Sequence, residues 1–180
     1  MTRIFLILLL FAVNSSYALP SGAPVCEVFA NFDNITGMTN RVRNTNTGDF
    51  TVSTNMPEYN TKDPVEITIS GTDILGLMFT VVDSNGNSVG QFSPDSQVDG
   101  CGGNAMSITH SQVLGTNSKI LFWIPPETPV GSVFIEGYVL SGITMNPSSQ
   151  NFYRFVSDDN SAFELLSADD IFSSGFESIQ

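Results

Sequence analysis

The alternation of apolar and polar positions predicts β-strands through the middle of the chain. Residues 65–70 read Val-Glu-Ile-Thr-Ile-Ser, which places every second side chain on an apolar face. No window before residue 157 sustains the 3.6-residue period of an amphipathic helix. Similar alternation, or a short apolar run bounded by turn residues, predicts eight strands near residues 50–52, 65–70, 75–82, 88–92, 106–111, 119–124, 133–140 and 152–156.

Turn residues separate these predicted strands, as an antiparallel arrangement requires. The segment Asp83-Ser-Asn-Gly-Asn87 predicts a tight turn whose return strand is 88–92. Pro125, Pro126 and Pro129 lie between two strands, where a missing N–H breaks no ladder hydrogen bond. We therefore expect an all-β protein, an antiparallel β-sandwich of about eight strands.

The N-terminus predicts export. Arg3 precedes an apolar run from Ile4 to Val13, and a small-x-small sequence ends at Ala18. These are the parts of a secretory signal peptide, and the run is shorter than the roughly 20 apolar residues that span a bilayer. We expect cleavage after Ala18, a secreted mature chain without a membrane span, a sandwich domain over 19–156 and an acidic tail over 157–180.

The charge of the chain argues against nucleic-acid binding. The formal net charge is −12, and it becomes −13 when Arg3, the one charged residue of 1–18, is removed. An acidic surface repels polyanions. The basic residues of the mature chain are scattered rather than clustered: Arg41, Arg43, Lys62, Lys119 and Arg154.

The segment beyond residue 157 carries six acidic residues and no basic one. Phenylalanines and leucines are interspersed among the acids, so two interpretations stay open. The segment is either a flexible acidic tail or a short helix over 161–168 that docks through its aromatic side chains.

Cys26 and Cys101 are the two cysteines of the chain. In an exported protein they most simply form one disulfide. The alternative, two free thiols with a redox or metal role, lacks a CxxC spacing and a second His. We expect the disulfide.

Candidate chemistry is sparse. His110 is the only His, so a multi-His metal site is excluded, and we interpret it as a structural residue at a strand end. Gly86-Asn-Ser-Val-Gly90 matches G-x-S-x-G, but a predicted hairpin is the wrong context for a nucleophile elbow. Asp83–Ser88 and Asp95–Asp99 are turns rather than calcium loops, because neither has the required spacing. We expect no catalytic residue, no cofactor and no metal.

Trp123 has two interpretations. The strand 119–124 is apolar on both faces, which indicates a central strand that ends at Pro125. A core Trp that packs on the disulfide is usual in sandwiches. A solvent-facing Trp would instead suggest a platform for carbohydrate stacking. We favour the core.

Several of these residues also resemble the Reeler domain, the module at the N-terminus of reelin and of spondin-type matrix proteins. The resemblance covers about residues 19–156. It is carried by Leu19–Pro24 before Cys26, by Cys101, by Ile108-Thr-His-Ser111, and by Ile120-Leu-Phe-Trp123 followed by Pro125-Pro126. It implies an immunoglobulin-like sandwich with a Cys26–Cys101 bond, and binding of extracellular matrix, glycan or microbial surfaces rather than catalysis. The ending Asp170-Ile-Phe-Ser-Ser-Gly-Phe-Glu177 resembles one found on exported proteins of Gram-negative bacteria.

Three functions are compatible with these features. The first is a secreted, non-enzymatic binding module whose partner is a matrix or cell-surface component. The second is an exported hydrolase or accessory enzyme that uses His110. The third is a structural protein that self-associates through its sheet edges or its acidic tail. The sequence leaves the ligand and the oligomeric state open.

Overall fold

A computed structural model of the chain describes Cys26 and residues 42–143, 149–157 and 161–168. The predicted signal peptide and the C-terminal motif at 170–177 lie outside the described residues. Within those ranges, no helix is long and apolar enough to span a membrane.

The described part of the chain is built from strands. In chain order they are β1 (Val42–Arg43), β2 (Thr51–Thr54), β3 (Glu58–Tyr59), β4 (Val65–Asp83), β5 (Gln91–Ser93), β6 (Val98–Cys101), β7 (Asn104–His110), β8 (Thr116–Ile124), β9 (Val133–Ser141), β10 (Asn151–Phe155) and β11 (Phe163–Ser167).

The long strand β4 joins two layers. Its first part, residues 65–70, pairs antiparallel with β2 and β8, whereas its second part, residues 74–83, pairs with β7 and β9. The register shifts between Ser70 and Ile74, and Asp73 in this interval has a φ of 54°. A bulge bends a strand and lets it pass from one layer to another. The pairing is therefore continuous, but the sheet is folded over itself.

The two layers enclose the main core. Layer A consists of β2, the first part of β4, β8 and β5; layer B consists of β1, β10, β9, the second part of β4, β7 and β6. Ile67 and Leu121 of layer A and Phe79 and Ile135 of layer B belong to one buried apolar cluster. The predicted all-β sandwich is confirmed.

A second apolar cluster lies on the other face of layer B. Met78, Tyr138 and Phe152 contribute to it, and Cys101 joins it with the partly buried Cys26 packed alongside. The Cys26–Cys101 disulfide is present, with the two Cα atoms 5.4 Å apart. The predicted pairing is confirmed, and the bond fixes Cys26 against the outer face of layer B.

The number and limits of the strands differ from the prediction. The predicted strands 65–70 and 75–82 are one continuous strand, and β1, β3, β6 and β11 were not predicted. β1 and β3 have two residues each, too few to show a period. The bulge in β4 interrupts the alternation, which is why the sequence suggested two strands.

The return strand 88–92 was placed wrongly. The turn itself is present: Gly86, at a φ of 79°, donates its N–H to the Asp83 carbonyl at 3.0 Å. After it, Ser88 forms a bridge with Val82, but the chain then leaves β4, and β5 pairs with β8. The segment after the turn therefore crosses from layer B to layer A.

The helix suggested for 161–168 is wrong. Residues 163–167 form β11, which pairs antiparallel with the start of β9 and parallel with β3. Leu165 is buried in the main core and the neighbouring Glu164 is exposed, which is the period of a strand. The sandwich thus extends at least to residue 167.

Candidate functional site

The residues that the sequence singled out between Cys101 and Pro126 do not come together at one site. Trp123 lies in the core between the layers, whereas Cys101 lies on the far side of layer B. His110 is the last residue of β7, and Pro125 is buried directly after β8. Each of these four residues is buried at a different place in the sandwich.

The imidazole of His110 contacts the backbone of β4. Its side chain is buried, and its Nδ1 lies 3.2 Å from the Leu77 N and 3.1 Å from the Leu77 carbonyl oxygen. A Cβ on Gly76 would lie 2.6 Å from the imidazole Cε1, so the ring packs directly on the β4 backbone. Within the described part of the chain, this geometry ties β7 to β4 beside the bulge.

Ser88 has a structural contact as well. Its hydroxyl lies 3.2 Å from the Thr80 hydroxyl, which also donates to the Met106 carbonyl. These contacts link the segment after the Asp83 turn to β4 and β7. The surroundings of Ser88 are those of a β-bridge, not of a strand-to-helix turn.

Trp123 holds the end of layer A. It is fully buried, its ring meets Tyr59 edge to face at 5.5 Å, and its Nε1 donates to the Val89 carbonyl at 3.0 Å. Gly90 has a φ of 67°, and a Cβ there would lie 2.5 Å from the Ile124 carbonyl oxygen and press on the indole. Only glycine therefore fits at position 90, because a side chain there would clash with the indole and with the Ile124 carbonyl, and the backbone has a positive φ.

Trp123 does not pack on the disulfide. The indole belongs to the core between the layers, and the Cys26–Cys101 bond belongs to the cluster outside layer B. The prediction of a Trp–disulfide contact is therefore wrong. The residue that meets Cys101 is Met78, whose Sδ lies 4.0 Å from the Cys101 Sγ.

A charge pair with a buried lysine and an exposed aspartate was not predicted. Lys119 is 8% exposed, and its Nζ donates to the Asp95 Oδ2 at 2.6 Å and to the Gln97 Oε1 at 3.2 Å. Lys119 is in phase with Leu121 and Trp123, which face inward along β8. The alternation along β8 was the sequence signal that could have predicted the pair, because a Lys on the inward face of a strand needs an acidic partner.

The pair lowers the pKa of Asp95. Burial raises the pKa of this carboxyl, but the Lys119 hydrogen bond and the N–H groups of Gln97 and Val98 outweigh it, so the pKa lies below 3.8. The carboxylate therefore stabilises the fold above about pH 4 and loses this contribution as the pH falls through its folded-state pKa.

Replacing Asp95 with Asn should lower the free energy of unfolding at pH 7 by about 1–2 kcal/mol. The loss is smaller than for a fully buried pair, because the Asp95 side chain is 42% exposed and solvent screens it. Urea titration at pH 7 and at pH 2.5 measures it, and the difference between wild type and D95N should shrink at the lower pH. The double variant D95N/K119M is the control, since it leaves no buried charge. A difference of the same size at both pH values contradicts the assignment.

The side chain of Asp83 holds its turn by accepting hydrogen bonds from the backbone of the turn. The Asp83 Oδ1 accepts hydrogen bonds from the backbone N–H groups of Asn87 and Asn85, both at 2.9 Å, and the bond from Asn87 is the main cause that lowers the pKa of Asp83.

Among the described residues, no three His, Cys, Asp or Glu side chains are grouped so that they could hold a metal.

The outer face of β8 is open. The apolar pattern on both faces indicated a central strand, and β8 does lie between β4 and β5. However, the side chains of Ile120, Phe122 and Ile124 are exposed rather than buried. One apolar face of β8 therefore lies in the core, and the other meets solvent.

The comparisons with known proteins agree with this architecture. The family model described as the Reeler domain matches residues 34–146. A crystal structure of the Reelin-N domain of F-spondin superimposes with a TM-score of 0.55 at 14% identity, and covers 71% of this chain and 92% of that one. A crystal structure of the human F-spondin reeler domain (fragment 1) gives a TM-score of 0.55 at 15% identity, and the match covers 71% of this chain and 95% of that one. A second structure of that domain (fragment 2) gives a TM-score of 0.56 at 15% identity, and the match covers 69% of this chain and 91% of that one. At this identity the likeness shows the fold alone. No curated protein sequence matches the chain.

Proposed function

Because the chain belongs to the Reeler family, whose domain is an extracellular-type module, we propose that it is a secreted, non-enzymatic protein that binds an extracellular surface component. The component belongs to a matrix, a glycan layer or a microbial envelope. The observation that carries the proposal is the position of His110, the one imidazole of the chain. It is buried against the Leu77 backbone, which favours a structural role over a catalytic one.

Two further features support secretion. The signal-like segment 1–18 would direct the chain to an oxidising compartment, where a disulfide forms and persists. The Cys26–Cys101 bond fits that location.

The alternative is an exported hydrolase or accessory enzyme with His110 as its base. Replacing His110 with Ala separates the two functions. We expect the free energy of unfolding to fall by about 2–3 kcal/mol, because a cavity opens beside Gly76 and the contact with the Leu77 backbone is lost. Ligand binding at a temperature where the variant is folded should be unchanged. A stable H110A protein that has lost a hydrolytic activity of the wild type would overturn the proposal.

Binding is tested with an array. The mature protein, residues 19–180, is applied to immobilised matrix proteins, glycosaminoglycans, neutral polysaccharides and bacterial envelope preparations. We expect saturable binding to at least one class. Uniform absence of binding at micromolar protein would contradict the proposed function.

A further inference from the structure

Layer A presents an ordered apolar stripe to solvent. Ile120, Phe122 and Ile124 alternate along β8 with side chains that are 43%, 42% and 45% exposed. We call these three residues the β8 stripe. Alternate residues of a strand lie on one face and rise about 3.3 Å per residue, so the stripe is straight and about 13 Å long.

Polar side chains flank the β8 stripe on both sides. In the register of the sheet, Thr68 lies beside Ile120, and Gln91 lies beside Ile124. Phe122 lies between Glu66 on β4 and Ser93 on β5. Directly paired residues point to the same face. The surface thus has an apolar centre, with hydroxyl and amide groups and the Glu66 carboxylate along its edges.

The face is almost uncharged on an acidic protein. Along residues 65–70 and the paired strands β2, β5 and β8, Glu66 is the one charged side chain in the outward phase, because Lys119 is in the inward phase. The whole chain has a net charge of −12. Anionic chains such as sulfated glycans are repelled by the protein and find no cation among the described residues of this face. Charge therefore favours a neutral ligand.

The size of the stripe argues against a second copy. A stable protein interface buries about 800 Å² per partner. Three side chains, each less than half exposed, provide a small part of that area. A narrow, straight strip fits an extended chain of small units better than another protein domain.

The geometry points to an uncharged polysaccharide chain as the ligand of this face. The C–H face of a sugar ring would lie on the Phe122 ring, because those hydrogens carry partial positive charge and the aromatic face is negative. Ile120 and Ile124 would contact the neighbouring sugars, and Thr68, Ser93 and Gln91 would bond their hydroxyl groups. This inference rests on the proposed binding function and assigns its site and ligand class.

Substitutions on the stripe test the assignment. The triple variant I120T/F122T/I124T keeps β-branched or strand-compatible residues and removes the apolar surface. F122L removes only the ring, and F122Y keeps it. L166T is the matched control, because Leu166 on β11 is also exposed, to 44%. Thermal unfolding by circular dichroism confirms that each variant folds.

Binding is measured by calorimetry with cello-, laminari-, chito- and manno-oligosaccharides, and with heparin fragments as the anionic probe. We expect at least one neutral oligosaccharide to bind. The triple variant and F122L should weaken it about tenfold or more, F122Y should weaken it less than F122L because it keeps the ring, and L166T should bind like wild type.

Three results overturn the inference while the proposed function stands: neutral-glycan binding that survives in the triple variant, array binding confined to heparin or to matrix proteins, or a dimer in light scattering that the triple variant abolishes. Absence of binding to every component of the array removes the proposed function, and this inference with it.

Discussion

Replacing Trp123 with Ala is expected to lower the free energy of unfolding by about 3–5 kcal/mol. The indole is fully buried between the layers, so its loss leaves a cavity beside Tyr59 in a close-packed core. The Val89 carbonyl also loses its donor, and Gly90 loses the surface on which it packs. Urea denaturation of the mature protein measures the effect.

The conservative variant W123F separates the cost of the cavity from the cost of the lost hydrogen bond. It fills most of the cavity but cannot donate to the Val89 carbonyl, so we expect a loss of about 1–2 kcal/mol. I124T is a control on the same strand, where an exposed side chain should cost little. A W123A protein within 1 kcal/mol of wild type would show that the indole does not hold the layers together.

Removing the disulfide is the second large effect. The C26A/C101A protein is expected to lose about 4–5 kcal/mol, because the bond closes a loop with a sequence separation of 75 residues. Alanine is used because Cys101 is buried and a hydroxyl there would add its own cost. Chemical denaturation compares the variant with the oxidised wild type.

Reduction of the wild type supplies the control for the disulfide. Oxidised protein that is treated with dithiothreitol should approach the stability of C26A/C101A, because both lack the same crosslink. If the variant is as stable as the oxidised protein, the segment that carries Cys26 is held by other contacts, and the bond does not organise the outer face of layer B.

Much of the fold could be predicted from local pattern. The alternation over 65–70 predicted a strand, and Val65, Ile67 and Ile69 are the buried positions. The disulfide followed from cysteine count and predicted export. The turn at Asp83 followed from its residues, since Asn and Gly accept the backbone angles that it needs.

What could not be predicted depends on contacts between distant residues. A local pattern does not show that β4 passes through a bulge and serves two layers. The same limit applies to β11, whose acids and aromatics suggested a helix, although its pairing with β9 gives it a strand. The partner of Trp123 is Tyr59, 64 positions earlier in the sequence, and nothing in the sequence near either residue indicates the contact.

The candidate site was the least accessible from sequence. Apolar residues on both faces of β8 indicated burial, because a pattern cannot distinguish a covered face from an exposed apolar one. Exposure of Phe122 emerges only when layer A is assembled and nothing lies over it among the described residues. The carbohydrate platform first considered for Trp123 is assigned by our proposal to its neighbour Phe122, on the opposite face of the same strand.

The proposed function of this Reeler protein is to bind an extracellular component without changing it chemically. The direct measurement is to incubate the mature protein with a component that it retains from the array, and to analyse the recovered component by mass spectrometry. We expect reversible, saturable binding and a component of unchanged mass with wild type and H110A alike. A time-dependent cleavage product that forms with wild type and not with folded H110A would contradict it.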